Sequence, residues 1–507
     1  MARVLDLPAE ILHMVLVEAI LKRSLVRALR LKLVCRRFRD AFQPALFASR
    51  RLDHRIRHQL QAMAHWPIRQ HHGADKMWHD YTMHLIRTEK ISRTNHHYLL
   101  QIVNAFCAET GAGFDEILSA ISWLVLDQAT NMHDSKCRPM HDWSRPTHPK
   151  SKPLCAGLVW RLKEATYSDR IDLGTNLLSL AAYLDQEPLA RRLLSEGCCP
   201  SKPGFLPSAM ETAAFAGNVK ILKLFQEHAS DYGPGNMPDR VPASRQFDPS
   251  YRCKVDPGAI YGAALRGDLD MLKLALYPPS RSTPESDEIM GEAFGQISVG
   301  SLPAQYLHLA ACVARTWEIF QYISSALGIR VSNCASEALE LHVEFGNIDM
   351  VKGLLNAGRT RPSRDTLHSA VRGCHEDVVD FLLERGVVPD AQGHVLNAAV
   401  SAGSLTLLKK LIAHGARVDG KQSRPYQLAL VTAIELEHTD MIRYLLSLRK
   451  PSAAFRKQLI KNLRVGIQLN HWDLNSMLEF VWNDFGGCLS PKKTAARRSS
   501  PRPSACS

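Results

Sequence analysis

Between Leu177 and Leu446 the apolar positions follow one pattern that occurs eight times. A run of small residues comes first, then a tight turn, then a segment that closes on two adjacent apolar residues. Two copies show it plainly: Ala213-Ala214-Phe215-Ala216-Gly217-Asn218-Val219-Lys220-Ile221-Leu222-Lys223-Leu224-Phe225 and Ala263-Ala264-Leu265-Arg266-Gly267-Asp268-Leu269-Asp270-Met271-Leu272-Lys273-Leu274-Ala275. Apolar residues at three- and four-residue intervals line one helix face, and the central glycine interrupts the run, so each copy predicts a helix, a turn and a second helix. The closing pairs are Leu193-Leu194, Leu224-Phe225, Leu274-Ala275, Tyr322-Ile323, Leu354-Leu355, Leu382-Leu383, Leu411-Ile412 and Leu445-Leu446, at offsets of 31, 50, 48, 32, 28, 29 and 34 residues. The two long offsets contain Gly233-Pro234-Gly235 and Pro278-Pro279-Ser280-Arg281-Ser282-Thr283-Pro284. Proline and glycine stop helices, so loops are expected near 230–256 and 278–304. A helical pair this short cannot hide its own apolar face. Neighbours must stack, and stacked units present an extended binding surface.

The details carry a family likeness. Leu307-His308-Leu309-Ala310 and Leu367-His368-Ser369-Ala370 match the end of a T-P-L-H-x-A motif, although Gln305-Tyr306 and Asp365-Thr366 replace its Thr-Pro. Gly346-Asn347-Ile348-Asp349-Met350-Val351 matches the turn into a second helix. Gly358, Gly386 and Gly415 each stand three residues beyond a closing pair, where a left-handed helix cap is expected. Ala181, Ala213, Ala263, Ala310, Ala370 and Ala398 allow first helices to approach closely. Together these residues resemble ankyrin repeats. The resemblance implies an all-α ankyrin-repeat solenoid of about eight repeats over residues 171–450, a concave face that grips a protein target, and Leu-His histidines that tie neighbouring turns.

The N-terminus reads differently. Leu5, Leu7, Ile11, Leu12, Val15, Leu16 and Ala19 recur at helical spacing behind Asp6-Leu7-Pro8, a good helix start. Leu7-Pro8-Ala9-Glu10-Ile11-Leu12 and Leu33-Val34-Cys35-Arg36-Arg37-Phe38 resemble an F-box, over residues 1–50. That resemblance implies a three-helix module docking on a Skp-type adaptor of cullin–RING ubiquitin ligases. Leu7, Pro8, Ile11, Leu12, Leu33, Val34, Cys35 and Phe38 would then form the docking face and its support. The linker from Val17 through Lys22, Arg23 and Ser24 is longer than the usual F-box loop and lacks its proline. The residues alone also fit an amphipathic cap on the repeats or a basic arm against nucleic acid.

Charge narrows the choice. The formal net charge is +13; residues 1–60 contribute +8 and residues 486–507 contribute +5, so the body between them is formally neutral. A nucleic-acid-binding solenoid would carry its basic face along that body. An acidic adaptor would be steered towards the basic N-terminus, while apolar anchors would hold it.

Residues 51–170 are expected to form a helical or linker region and a possible solenoid cap, with an amphipathic helix over 115–130. Twelve of the 22 histidines fall within 54–148, and Cys137, His141, His148 and Cys155 have spacings that suit zinc poorly. Residues 451–485 are expected as capping helices and 486–507 as a disordered basic tail, with Lys492-Lys493 and Arg497-Arg498 resembling a two-part nuclear import signal. The 12 cysteines lack a framework spacing, and the N-terminus lacks a secretory pattern, which places the chain in the cytoplasm or nucleus. Neither a GxxxxGK[ST] loop, an H-E-x-x-H helix nor a GxSxG elbow occurs, and no cofactor is expected. The expectation is a non-enzymatic protein-interaction chain: the substrate-receptor subunit of a ubiquitin ligase, or else a plain ankyrin scaffold or a nucleic-acid-associated regulatory factor.

Overall fold

The computed structural model describes residues 7–21, 28–50, 52, 74–88, 95–131, 172–202, 204–231, 256–276, 310–327, 331–389, 394–416, 418, 424–436 and 438–448. The zinc candidates Cys137, His141, His148 and Cys155, the Leu307-His308 motif start, most of both insertions, the 451–485 segment and the tail lie outside these residues. The described residues are helical, and no strand occurs among them. The chain divides into two compact units, residues 1–52 with 418–507, and residues 53–417.

In the first unit, α1 (Ala9–Leu21) packs against α2 (Arg36–Ala48). Between them a short helical turn at Arg30–Leu33 leads into α2. The second unit begins with three helices that pack on one another, α3 (Ala74–Thr88), α4 (Asn95–Thr110) and α5 (Phe114–Asn131). The repeated pairs follow: α6 (Leu173–Tyr183) with α7 (Glu187–Ser195), α8 (Ala209–Ala216) with α9 (Val219–Asp231), and α10 (Pro257–Arg266) with α11 (Leu269–Leu276). Helical residues 310–313 precede α12 (Trp317–Leu327). Then come α13 (Val331–Glu344) with α14 (Ile348–Asn356), α15 (Arg364–Arg372) with α16 (Glu376–Glu384), and α17 (His394–Ala402) with α18 (Leu405–Ala413). The eighth pair, α19 (Arg424–Glu435) and α20 (Thr439–Leu448), belongs to the first unit by contact.

Local chemistry explains why the helices start and stop where they do. Asp172, Ser208, Asp256 and Ser363 cap first helices, and Asp268, Asn347 and Ser404 cap second helices, each accepting a backbone N–H three residues on. At the turn inside six of the pairs one residue adopts a positive φ, which frees the next N–H to reach the carbonyl five residues back, as from Asn218 to Ala213 and from Asn347 to His342. Glycine holds that position at 217, 267, 346 and 403, but Asp185 (φ 55°) and Cys374 (φ 58°) hold it elsewhere. Gly197, Gly358, Gly386 and Gly415 adopt positive φ after second helices.

The second-helix core is richer than its closing pair. Another apolar pair lies one turn earlier and is fully buried: Ile221 and Leu222, Met350 and Val351, Val378 and Val379, Leu407 and Leu408. Two pairs three or four residues apart make a full apolar stripe. First helices pack through small residues, α6 on α8, α8 on α10, α13 on α15 and α15 on α17. The α8–α10 contact spans the first insertion, and Arg315 N–H donates to the Ala264 carbonyl (3.1 Å) across the second. At the other end α4 packs on α6, and Arg192 pairs with Glu109 (2.6 Å).

Between neighbouring pairs runs a series of side-chain ties. Asn218 Nδ2 donates to the Ala182 carbonyl (2.7 Å), Asn347 Nδ2 to Arg315 (2.8 Å) and His375 Nε2 to Glu344 (3.0 Å). The equivalent Asp268 has no proton to give, and there Arg266 donates instead to Phe215 (3.2 Å) and Ala216 (2.7 Å). The sequence points to the Leu-His histidines for this work, and His308 lies outside the described residues; the ties named here run through Asn218, Asn347 and His375 before second helices and through Arg266 at the end of a first helix. The prediction is direct. Asn218→Asp keeps the shape but loses the donor and should cost about 1 kcal/mol, read as a lower unfolding midpoint. Asn218→Gln should lose less.

Candidate functional site

The N-terminal helices carry the largest set of unburied apolar side chains among the described residues. The sequence of α1 is apolar nearly all round, and such a helix needs cover on more than one face. One stripe, Leu12, Leu16 and Ile20, is buried, as are Phe42, Ala45 and Leu46 of α2. The other stripe, Ile11, Met14 and Val15, is 42–60% exposed. Leu33 and Val34, just before α2, are 84% and 63% exposed. Their place is set locally: the Cys35 thiol caps α2 by accepting the Phe38 N–H (3.4 Å), and Arg37 donates to the Leu7 carbonyl (2.8 Å), bringing the starts of α1 and α2 to one end. Lys32 sits over the Phe42 ring, 5.2 Å from its centre.

The eight residues singled out from the sequence therefore divide into classes. Pro8, Ile11, Leu33 and Val34 face solvent; Leu7, Cys35 and Phe38 are half-buried; Leu12 is buried and can only support the face from behind. Met14 and Val15 are exposed apolar residues that the motif comparison passed over. Their signal was present in the sequence, since both follow Ile11 at helical spacing. Several exposed apolar side chains on a small helical module are the usual mark of an interaction surface.

In the second unit a groove of about 1020 Å³ runs across the turns of four consecutive pairs. Tyr183, Phe215, Arg266, Asp270, Arg315 and Glu318 are among its lining residues. Arg266 is committed to the inter-pair tie. Asp270, Arg315 and Glu318 are exposed and form no ion pair among the described residues. The groove therefore offers both signs of charge beside two aromatic rings.

One cluster has the distances of a hydrolytic triad. His79 Nε2 lies 3.1 Å from Ser119 Oγ, and Nδ1 lies 3.4 Å from Asp80 Oδ1. It is not set up for nucleophilic attack. Nε2 also lies 3.1 Å from the Ser119 carbonyl, and a nitrogen that donates there cannot accept the serine proton. Ser119 stands inside α5, where backbone N–H groups are spent on the helix and none is left to stabilise an oxyanion. His79 stacks on Trp123 (4.3 Å between ring centres), so the cluster is a strut between α3 and α5.

Among the described residues no three His, Cys, Asp or Glu side chains gather as a metal site, and no helix is long and apolar enough to cross a membrane. Cys198 and Cys199 are free thiols, and Cys198 N–H closes the end of α7 on the Leu193 carbonyl (3.0 Å). Compared with known proteins, the chain matches no family model and no curated protein.

Proposed function

We propose that this chain is a non-catalytic receptor subunit. Its F-box-like N-terminal helices dock on a Skp-type adaptor, and its ankyrin-like helical pairs hold a protein target for a cullin–RING ubiquitin ligase. The observation that carries the docking reading is the solvent-facing apolar set Ile11, Met14, Val15, Leu33 and Val34 beside a basic N-terminus. Burial of such side chains against a partner supplies affinity, and charge supplies encounter rate. The target surface in this reading includes the mixed-charge groove across the turns of the early pairs. The role is one of effective concentration: target and ligase are held together, and the chain forms no covalent bond itself.

Titration calorimetry of the full chain against purified adaptor tests the docking. Leu33→Ala with Val34→Ala should weaken binding about thirtyfold, because two exposed anchors lose roughly 1 kcal/mol each, while the unfolding midpoint stays put. Absence of measurable adaptor binding by the unaltered chain would return the protein to the plain scaffold reading.

A further inference from the structure

The two junctions that flank the pair α13–α14 both depend on a histidine. On one side, His342 of α13 is buried, 4% exposed, and donates to the Cys312 backbone of the preceding pair, while its Nε2 has no partner. On the other side, His375 of the following pair donates from Nε2 to the Glu344 carbonyl (3.0 Å). Its Nδ1 stands directly over Gly346: a Cβ added to that glycine would fall 2.1 Å away. A second proton on His342 would sit in an apolar interior with nothing to receive it, and the His375 ring lies with its face against Gly346, which shields one side of it from water.

We propose that these two junctions form an acid-sensitive hinge, in which protonation of His342 and His375 loosens the α13–α14 pair against the Asn347–Arg315 tie and the Glu344–Arg372 pair that remain there, while the junctions between other pairs are unaffected. The inference is independent of adaptor docking.

The electrostatics agree with the geometry. Burial pushes the His342 imidazole down to about 4, against a smaller opposing pull from the Cys312 carbonyl. Burial also lowers His375, opposed by the Glu344 carbonyl and the Asp377 charge. A histidine whose pKa is lower in the closed form stabilises that form fully above its ordinary 6.5, and the contribution fades as the pH falls towards 4.

The elements packed around these rings carry other charges. They are Glu337, Glu340 and Glu344 on α13, Asp349 and Lys352 on α14, Asp365, His368 and Arg372 on α15, and Glu376, Asp377 and Asp380 on α16, with Arg315 before α12. Glu344 pairs with Arg372 (3.2 Å). Burial raises the carboxyls of Glu340 and Glu344, and a raised acid favours the closed form on acidification. The histidine contribution is therefore measured as a difference between chains that keep those acids.

The test is hydrogen exchange of the full chain at about pH 7.5 and about pH 5.5, corrected for intrinsic exchange, in the unaltered protein and in His342→Asn/His375→Gln. The amides replace the donated protons and do not titrate. Acid should speed exchange in α13 and α14 by about tenfold more in the unaltered protein than in the variant, since the lower pH is one unit below the ordinary histidine value. An acid response that differs by less than about twofold between the two chains, or one spread evenly over all pairs, overturns the proposal. Should the variant fold poorly, imidazole resonances of the unaltered protein decide the matter. Both histidines must titrate below the ordinary range, and titration at the ordinary value overturns the hinge.

Discussion

Gly262→Ala is expected to lower the stability of the second unit by about 3 kcal/mol, a loss of about 10 °C in its melting temperature. Taken alone, alanine in the middle of a helix should be the better residue by roughly 1 kcal/mol. The sign reverses because of what faces Gly262. A Cβ there would fall 2.3 Å from the Glu211 carbonyl oxygen and 3.1 Å from the Phe215 nitrogen. Both are backbone atoms of α8, so no rotamer change can make room. The helices must part, and Ala213, Ala214, Ala259 and Ala263, all buried between or near them, would lose contact. Gly358→Ala is the control. Gly358 has a positive φ of 63° but nothing within 4 Å of a new Cβ, so only the left-handed conformation resists the change. The cost there should stay near 1 kcal/mol. Thermal unfolding followed by circular dichroism reads both, and equal losses would show that helix separation is not the cause.

Asn176→Leu should cost between about 2 and 3 kcal/mol, although leucine is apolar, similar in size and placed at a fully buried site. Asn176 is 0% exposed. Its Oδ1 accepts the buried Leu206 N–H (2.8 Å), and its Nδ2 donates to the Asp172 carbonyl (2.9 Å). Ser179, one turn on, donates to the Pro207 carbonyl (2.6 Å). These two side chains fix the strand of chain that delivers α8 to its place beside α6. Leucine would leave the Leu206 N–H buried without an acceptor, and would press on the backbone at Gly204, where even a Cβ would come within 2.7 Å of the present side chain. Rapid exchange of the Leu206 amide in the variant, with the helices α15 to α18 unaffected, is the specific signature. A variant as stable as the unaltered chain would mean that the network is replaceable.

The helix pairs were legible because their causes are local. Periodic leucines and alanines, a capping Asp, Ser or Asn before the first turn, and a glycine after the last are all contained within about ten residues of chain. Each of the eight copies read from the sequence corresponds to described helices, including the fourth, whose turn carries Ala314-Arg315-Thr316 in place of glycine. The three helices α3 to α5 were mostly missed. Their apolar residues, such as Tyr81, Ile86, Leu99 and Phe106, lie among many histidines and lack the regular spacing of the repeats. For the candidate docking residues, the sequence could not say which side chains face outward. Leu12 and Ile11 are neighbours in one apolar run, and only the position of α2 buries the first and leaves the second at 42% exposure.

Sequence by itself determined that this chain is built of short helices in pairs, with apolar stripes too wide for any pair to cover alone. It did so because helix propensity, caps and turn glycines act over one or two turns. Only the tertiary structure decided how the pairs hold one another: through Asn218, Arg266, Asn347 and His375 reaching back to a neighbour's carbonyl, through a glycine at 262 that lets two backbones meet, and through Asn176 and Ser179 holding a distant loop. Those choices depend on which groups lie opposite in space, some 30 to 50 residues away along the chain, and no local spacing records them.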